Sequence, residues 1–258
     1  MKKICIFNQK GGVGKTTVNI NLCANLALMG LKVLVIDIDP QGNTTSGLGI
    51  DKRKVNKSMY DLLTNRDIKF NDVIVESELI SNFYLAPSTM ELAGAEVELM
   101  RLNNREEILK EKINEVENDY DFIFIDCPPS LGFLTINALT ACESVLIPIQ
   151  CEFYALEGVG QLVNTINLVK KSLNKELVIE GVLLNMYDSR TRLSSEVVEE
   201  VKKYFKNKVY DTVIPRNIRL AEAPSFGLPV ILYDRKCKGT EAFGNFTNEF
   251  LSKNKGGI

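Results

Sequence analysis

The run Lys10-Gly11-Gly12-Val13-Gly14-Lys15-Thr16-Thr17 carries the residue types that grip phosphate. Glycines let a backbone curl until its amides converge on phosphate oxygens. A helix opening directly after them adds the partial positive charge of its N-terminus. In such a loop Lys15 reaches the β and γ phosphates of a nucleoside triphosphate, and the Thr16 hydroxyl ligands Mg²⁺. Two further stretches end apolar runs in carboxylates: Val33 to Asp37, followed by Ile38-Asp39-Pro40, and Phe122 to Asp126. Asp126 fits a carboxylate that holds Mg²⁺, mostly through water. Asp37 and Asp39 lie one residue apart on a chain leaving its strand, so they need not share a direction. The sequence has no histidine. This excludes histidine bases and histidine-ligated zinc, and leaves an aspartate as the base.

These groups need elements to place them. Short apolar runs at 4–7, 33–37, 73–75, 83–86, 122–126, 145–149, 178–184 and 212–214 read as strands. Most are continuously hydrophobic, which suits strands buried on both faces. Helical periodicity fills 15–29, 88–117, 132–141, 155–173, 193–206 and 239–253. Strand–helix alternation predicts an α/β fold: a mostly parallel, twisted sheet with helices on both faces. In a parallel sheet the carboxyl ends of neighbouring strands share one edge, so the loop and both aspartate stretches are expected there. No linker, repeat or low-complexity stretch divides the chain, so residues 1–258 are read as one domain with a frayed tail from Lys253.

At 258 residues, 45% hydrophobic and 25% charged, the composition is that of a globular protein. No apolar run approaches the ~18 residues of a membrane span, and the N-terminus does not resemble a signal segment. Six cysteines are scattered without a Cys-x-x-Cys pair, as in a reducing cytosol. Charge is uneven: residues 1–187 carry 18 Lys and Arg against 24 Asp and Glu, and residues 188–240 carry 11 against 7.

The phosphate loop departs from the common pattern, with Gln9 where a glycine is usual and an additional lysine, Lys10. A second cation beside Lys15 is repelled unless several phosphate charges offset it. This form resembles the deviant Walker A box of the P-loop NTPases that include ParA, MinD and the nitrogenase iron protein. The resemblance implies that Lys10 crosses a dimer interface to the partner's ATP, so that two chains sandwich two nucleotides. It also implies that Asp39 orients or activates the attacking water and that Asp37 supports the magnesium site. Asp39-Pro40-Gln41-Gly42-Asn43-Thr44-Thr45-Ser46-Gly47, Asp126-Cys127-Pro128-Pro129-Ser130-Leu131, Phe153-Tyr154-Ala155-Leu156-Glu157-Gly158 and the stretch from Ile214 to Gly227 all look like the Soj/ParA branch. By that likeness Pro215, Arg216 and Asn217 abut adenine, with Asn185 and Met186 as further candidates.

The resemblance implies ATP and Mg²⁺ as cofactors and a homodimer that binds double-stranded DNA without reading its sequence. It also implies slow ATP hydrolysis stimulated by a ParB-type centromere-binding partner, in chromosome or plasmid partition. Arg190, Arg192, Arg219, Lys202, Lys203 and Lys206 are the candidates for tracking phosphates. The expected location is cytoplasmic and nucleoid-associated. Because the loop begins ten residues in, no N-terminal helix-turn-helix domain is expected. The main rival is a MinD-like membrane-cycling ATPase, which needs a basic amphipathic C-terminal helix. Phe243, Phe246, Phe250 and Leu251 fall at helical spacing, but no lysine or arginine lies between Thr240 and Leu251. That stripe is expected to pack on the sheet. An iron–sulfur role is expected to be absent, since Cys127 and Cys151 lack the flanking sequence it requires.

Overall fold

The computed structural model describes residues 1–152 and 158–254. Its strands are β1 (Lys2–Ile6), β2 (Val33–Asp37), β3 (Val75–Glu76), β4 (Phe83–Ala86), β5 (Phe122–Asp126), β6 (Ser144–Gln150), β7 (Val178–Tyr187) and β8 (Val209–Pro215). They form one sheet in the order β3-β4-β2-β5-β1-β6-β7-β8. Every neighbouring pair is parallel except β3–β4. β5 lies between β1 and β2, with Asp37 opposite Asp126 and Ile6 opposite Asp126 in the two registers. The phosphate loop and both aspartate stretches therefore leave the sheet at the same edge.

The helices are α1 (Lys15–Leu28), α2 (Asn43–Gly47), α3 (Met59–Thr64), α4 (Leu92–Leu99), α5 (Ile108–Ile113), α6 (Phe133–Ala141), α7 (Val159–Ser172), α8 (Arg192–Phe205), α9 (Ile218–Glu222), α10 (Val230–Tyr233) and α11 (Lys238–Asn254). They cover both faces. Ile4 and Ile6 of β1, with Phe122 and Phe124 of β5, pack with Val18 and Leu22 of α1 and Phe243, Phe246 and Phe250 of α11. Cys5, Ile123 and Ile125 point the other way, among Leu92, Leu109, Leu134 and Leu162 from α4 to α7. Alternate side chains of one strand thus serve two cores, as a doubly covered strand requires.

Several boundaries differ from the periodicity. The stretch 88–117 forms two helices, α4 and α5. Asn104 sits between them in the left-handed region at φ 55°, which asparagine tolerates and a continuing helix does not. Short α2, α3, α9 and α10 were beneath the reach of periodicity. Lys253 and Asn254, expected in a frayed tail, belong to α11; Asn254 is buried and donates to Glu180 Oε1 at 2.9 Å. Residues 153–157, which carry the motif ending at Gly158, lie outside the described residues. The aromatic stripe of α11 is fully buried against the sheet, as expected.

Candidate functional site

Gly14 caps the start of α1 in the left-handed conformation at φ 90°, and Gly12 has φ 75°. A side chain at Gly14 would also collide with the Asn185 carboxamide. Asn185, at the end of β7, donates Nδ2 to the Val13 carbonyl at 2.9 Å. The loop is therefore tied across the sheet to β7. Met186 follows in the left-handed region at φ 54°, unusual for a residue with a Cβ and a sign of a constrained site. Gly11 and Gly12 are exposed, Thr17 is half-buried, and Lys15 is buried. Burial lowers the Lys15 pKa, opposed by the charge of Asp126.

The carboxylates sit below the loop. Thr16 Oγ1 donates to Asp126 Oδ2 at 2.8 Å, and Thr44 Oγ1 donates to the same oxygen at 2.7 Å. Asp126 Oδ1 is buried and has no hydrogen-bond partner among the described residues. A buried carboxylate oxygen without a donor is costly unless a cation completes it, so the site fits a metal ion beside the Thr16 hydroxyl. Asp37 is occupied differently. Its Oδ2 accepts from the Thr45 amide at 2.8 Å and the Thr45 hydroxyl at 2.7 Å, and its Oδ1 accepts from the Asp39 amide at 3.3 Å. Burial, then the charge of Asp126, raises the Asp37 pKa. Burial also raises that of Asp126, against hydrogen bonds from Thr44 and Thr16 and the charge of Lys15.

Asp39 Oδ1 accepts from the Gln41 amide at 2.9 Å, and the Asp39 carbonyl accepts from Ser88 Oγ at 2.7 Å. Ser88 in turn donates its amide to Thr45 Oγ1 at 2.9 Å. Thr44, Thr45 and Ser88 form a buried hydroxyl layer that sets α2 and the Asp39 loop against Asp37 and Asp126. Sequence reasoning assigned these three no role. The signal available was a pair of threonines opening a helix after an aspartate-rich turn. Lys10 is half-buried, and among the described residues its ammonium makes no ion pair. Its amide donates to Asn8 Oδ1 at 3.0 Å.

Pro215 ends β8, and Arg216 donates its amide to the Tyr187 carbonyl at 2.9 Å. Asn217 caps α9 by accepting from the Arg219 amide at 2.8 Å. β7 and β8 thus deliver Asn185–Met186 and Pro215–Asn217 to the same edge as the phosphate loop.

The six basic candidates divide into two groups. Arg190 follows β7, Arg192 opens α8 and Arg219 lies in α9, all past the carboxyl ends of β7 and β8. Lys202 and Lys203 end α8, and Lys206 follows it. The eleven helical steps from Arg192 to Lys203 rise ~16 Å. Exposed Glu196, Glu199 and Glu200 lie between the groups. Arg190 is paired with Asp188 at 2.7 Å, Arg192 with Glu196 at 2.7 Å, Lys203 with Glu200 at 2.6 Å and Arg219 with Glu222 at 2.8 Å. Exposed pairs of this kind are weak and exchange readily.

Comparison with known proteins fits this arrangement. The family model described as an AAA domain, AAA_31, matches residues 1–179. The sporulation initiation inhibitor protein Soj of Bacillus subtilis (strain 168) is 57% identical over 248 residues, covering 96% of this chain and 97% of that protein. The chromosome partitioning protein ParA of Myxococcus xanthus (strain DK1622) is 51% identical, covering 97% and 88%. The chain belongs to the Soj/ParA family. Among solved structures, a Mycobacterium smegmatis protein titled cobyrinic acid a,c-diamide synthase with bound ADP and magnesium superposes with a TM-score of 0.87. It is 36% identical, with 100% of this chain and 97% of that chain covered. This Soj/ParA chain therefore has the fold expected of it, a P-loop NTPase with helices on both faces of a mostly parallel sheet. No helix among its described residues is long and apolar enough to cross a membrane.

Proposed function

We propose that this Soj/ParA chain is an ATP-dependent partitioning switch, an ATPase that holds DNA as a nucleotide-bound dimer. The observation that carries the reading is Asp126, with Thr16 and Thr44 on one oxygen and the other buried without a partner at the foot of the phosphate loop. Thr16 and Asp126 would hold Mg²⁺, directly or through water, and Asp37 fixes α2 behind it. Bound Mg²⁺ would neutralise phosphate charge that develops as the γ-phosphate leaves. Lys15 and the amides from Gly11 to Thr17 hold the phosphates. Pro215–Asn217 and Asn185–Met186 border the base. Asp39, whose Oδ1 already accepts from Gln41, orients the attacking water through its second oxygen.

Lys10 supplies a point charge to the triphosphate of a second copy, as an arginine finger does. Closure would set two sets of Arg190, Arg192 and Arg219 side by side and raise the local positive field. DNA binding then follows the γ-phosphate, since a ligand shifts an equilibrium only by binding one state better. Hydrolysis, stimulated by a ParB-type partner, reopens the dimer and releases DNA. The cytoplasmic, nucleoid-bound location follows from that cycle. α11 supports no MinD-like lipid anchor, because its aromatic face is buried in the core.

Size-exclusion chromatography of the wild type and Asp39→Ala tests this, with ADP or ATP and with or without random-sequence DNA. ATP should convert monomer to dimer, and Asp39→Ala should give a long-lived DNA-bound dimer. A protein that stays monomeric and ignores DNA under all of these conditions overturns the reading.

A further inference from the structure

Asn8, the second residue past β1, does something the loop motif does not announce. In the parallel β1–β6 ladder the last backbone rung runs from the Phe7 amide to the Leu146 carbonyl at 3.2 Å. The next carbonyl of β6 facing β1 is that of Pro148. It accepts from Asn8 Nδ2 at 2.8 Å. A side chain thus makes the rung that the backbone amide of residue 9 would make in a continuing strand. The other end of the same carboxamide, Oδ1, accepts from the Lys10 amide at 3.0 Å, the two-residue turn that asparagine favours. Asn8 is buried, 9% exposed, so neither bond competes freely with water. Gln9 donates Nε2 to Thr165 Oγ1 of α7 at 3.1 Å. Two successive side chains thus pin the chain, to β6 and to α7, just before Lys10.

We propose that Asn8 is a positioning residue for Lys10: where the ladder stops at Pro148, which has no amide hydrogen, its side chain takes up the Pro148 carbonyl and fixes the turn from which Lys10 projects. The inference rests on the reading that Lys10 serves the nucleotide of a second copy. Asn8 touches no reacting atom in this scheme and acts only through the lysine two residues on. A long, rotamer-rich side chain is aimed by its backbone, and misplacement by about an ångström weakens catalysis steeply.

The test is a double-mutant cycle on the full chain, with N8A, K10A and N8A/K10A. ADP affinity checks the fold and the resident phosphate loop, and ATP-dependent dimer fraction and kcat are the readouts. N8A should keep ADP affinity within threefold of wild type and lose tenfold or more in kcat, with a matching loss of dimer. In the K10A background the same change should cost less than twofold. If N8A costs the same factor with and without Lys10, the residue is merely structural and the proposal falls. If K10A alone leaves dimerisation and hydrolysis unchanged, the cross-dimer reading of Lys10 falls and takes this proposal with it. Should N8A lose ADP binding, N8S takes its place in the same cycle. Its hydroxyl can accept from the Lys10 amide but cannot reach Pro148.

Discussion

Asp37 and Asp126 are register partners at the carboxyl ends of β2 and β5, and both are buried. Donors reach them from one short helix: Thr45 of α2 serves Asp37 and Thr44 serves Asp126. The arrangement packs two carboxylates beneath the phosphate loop, with the Lys15 charge beside Asp126. Hydroxyls of Thr16, Thr44 and Thr45 supply donors to both carboxylates.

Asp126→Asn should therefore separate metal binding from stability. Without Mg²⁺ the variant should unfold no earlier than wild type, because a buried charge beside Asp37 has been removed. Mg²⁺-dependent nucleotide affinity should drop tenfold or more, about 1.4 kcal/mol. Thermal shift with ADP, with and without Mg²⁺, reads both effects. Equal stabilisation of variant and wild type by Mg²⁺ and ADP would remove Asp126 from the metal site.

Thr44→Val keeps the shape and deletes the donor to Asp126. Nucleotide should still bind, since Thr16 remains. Asp126 loses one of its two donors, so the metal-free protein should lose ~1 kcal/mol of stability. Urea unfolding at pH 7 measures it. No loss would mean that Thr44 does not hold α2 in place.

The two glycines at the loop tip should behave differently. Gly12 has φ 75°, where a β-branched residue is strained, whereas Gly11 has no such φ and has open space around a notional Cβ. Gly12→Val should weaken even ADP binding about tenfold through backbone strain of ~1–2 kcal/mol. Gly11→Ala should leave ADP binding within threefold and reduce only the ATP-dependent dimer. Titration with each nucleotide, followed by sedimentation, distinguishes them. A Gly11→Ala protein that dimerises like wild type would place the partner away from this tip.

Arg190→Ala combined with Arg219→Ala should weaken DNA binding by tenfold or more and flatten its log–log salt dependence by about one unit per lost phosphate contact. ATP affinity should be unchanged. Lys202→Ala with Lys206→Ala, on the far side of Glu196, Glu199 and Glu200, should cost less than threefold. Fluorescence anisotropy on random-sequence duplex at several salt concentrations decides. The opposite ranking would move the DNA face to the end of α8.

Glu180 gives a pH prediction remote from the site. Burial alone would raise its pKa, but hydrogen bonds from Lys2, Ser144 and Asn254 outweigh burial and hold it below the usual range. A carboxylate depressed by folding contributes stability above its unfolded pKa of ~4.3 and loses it as pH falls through the lower folded value. Glu180→Gln should thus cost ~1 kcal/mol at pH 7, and the gap to wild type should close in acid below about pH 4. A gap that stays constant down to pH 3 would show that the Glu180 charge has no part in it.

The alternation of strands and helices, the phosphate loop after the first strand and the aspartates closing two others are all legible along the chain. Those features are local: hydrophobic period, glycine placement and the residue that closes an apolar run are all set by neighbours along the chain. Which of them meet depends on how the strands are ordered in the sheet. Thr44 and Asp126 are 82 positions apart, and they touch because β5 inserts between β1 and β2. Asn8 finds its partner only because β6 presents the Pro148 carbonyl beside it, 140 positions along the chain. The basic residues after 188 read as a single excess, and α8 divides them because its length carries its two ends to opposite edges of the sheet. Strand order and helix direction are settled by the packing of two whole cores, and no short window of residues contains that information.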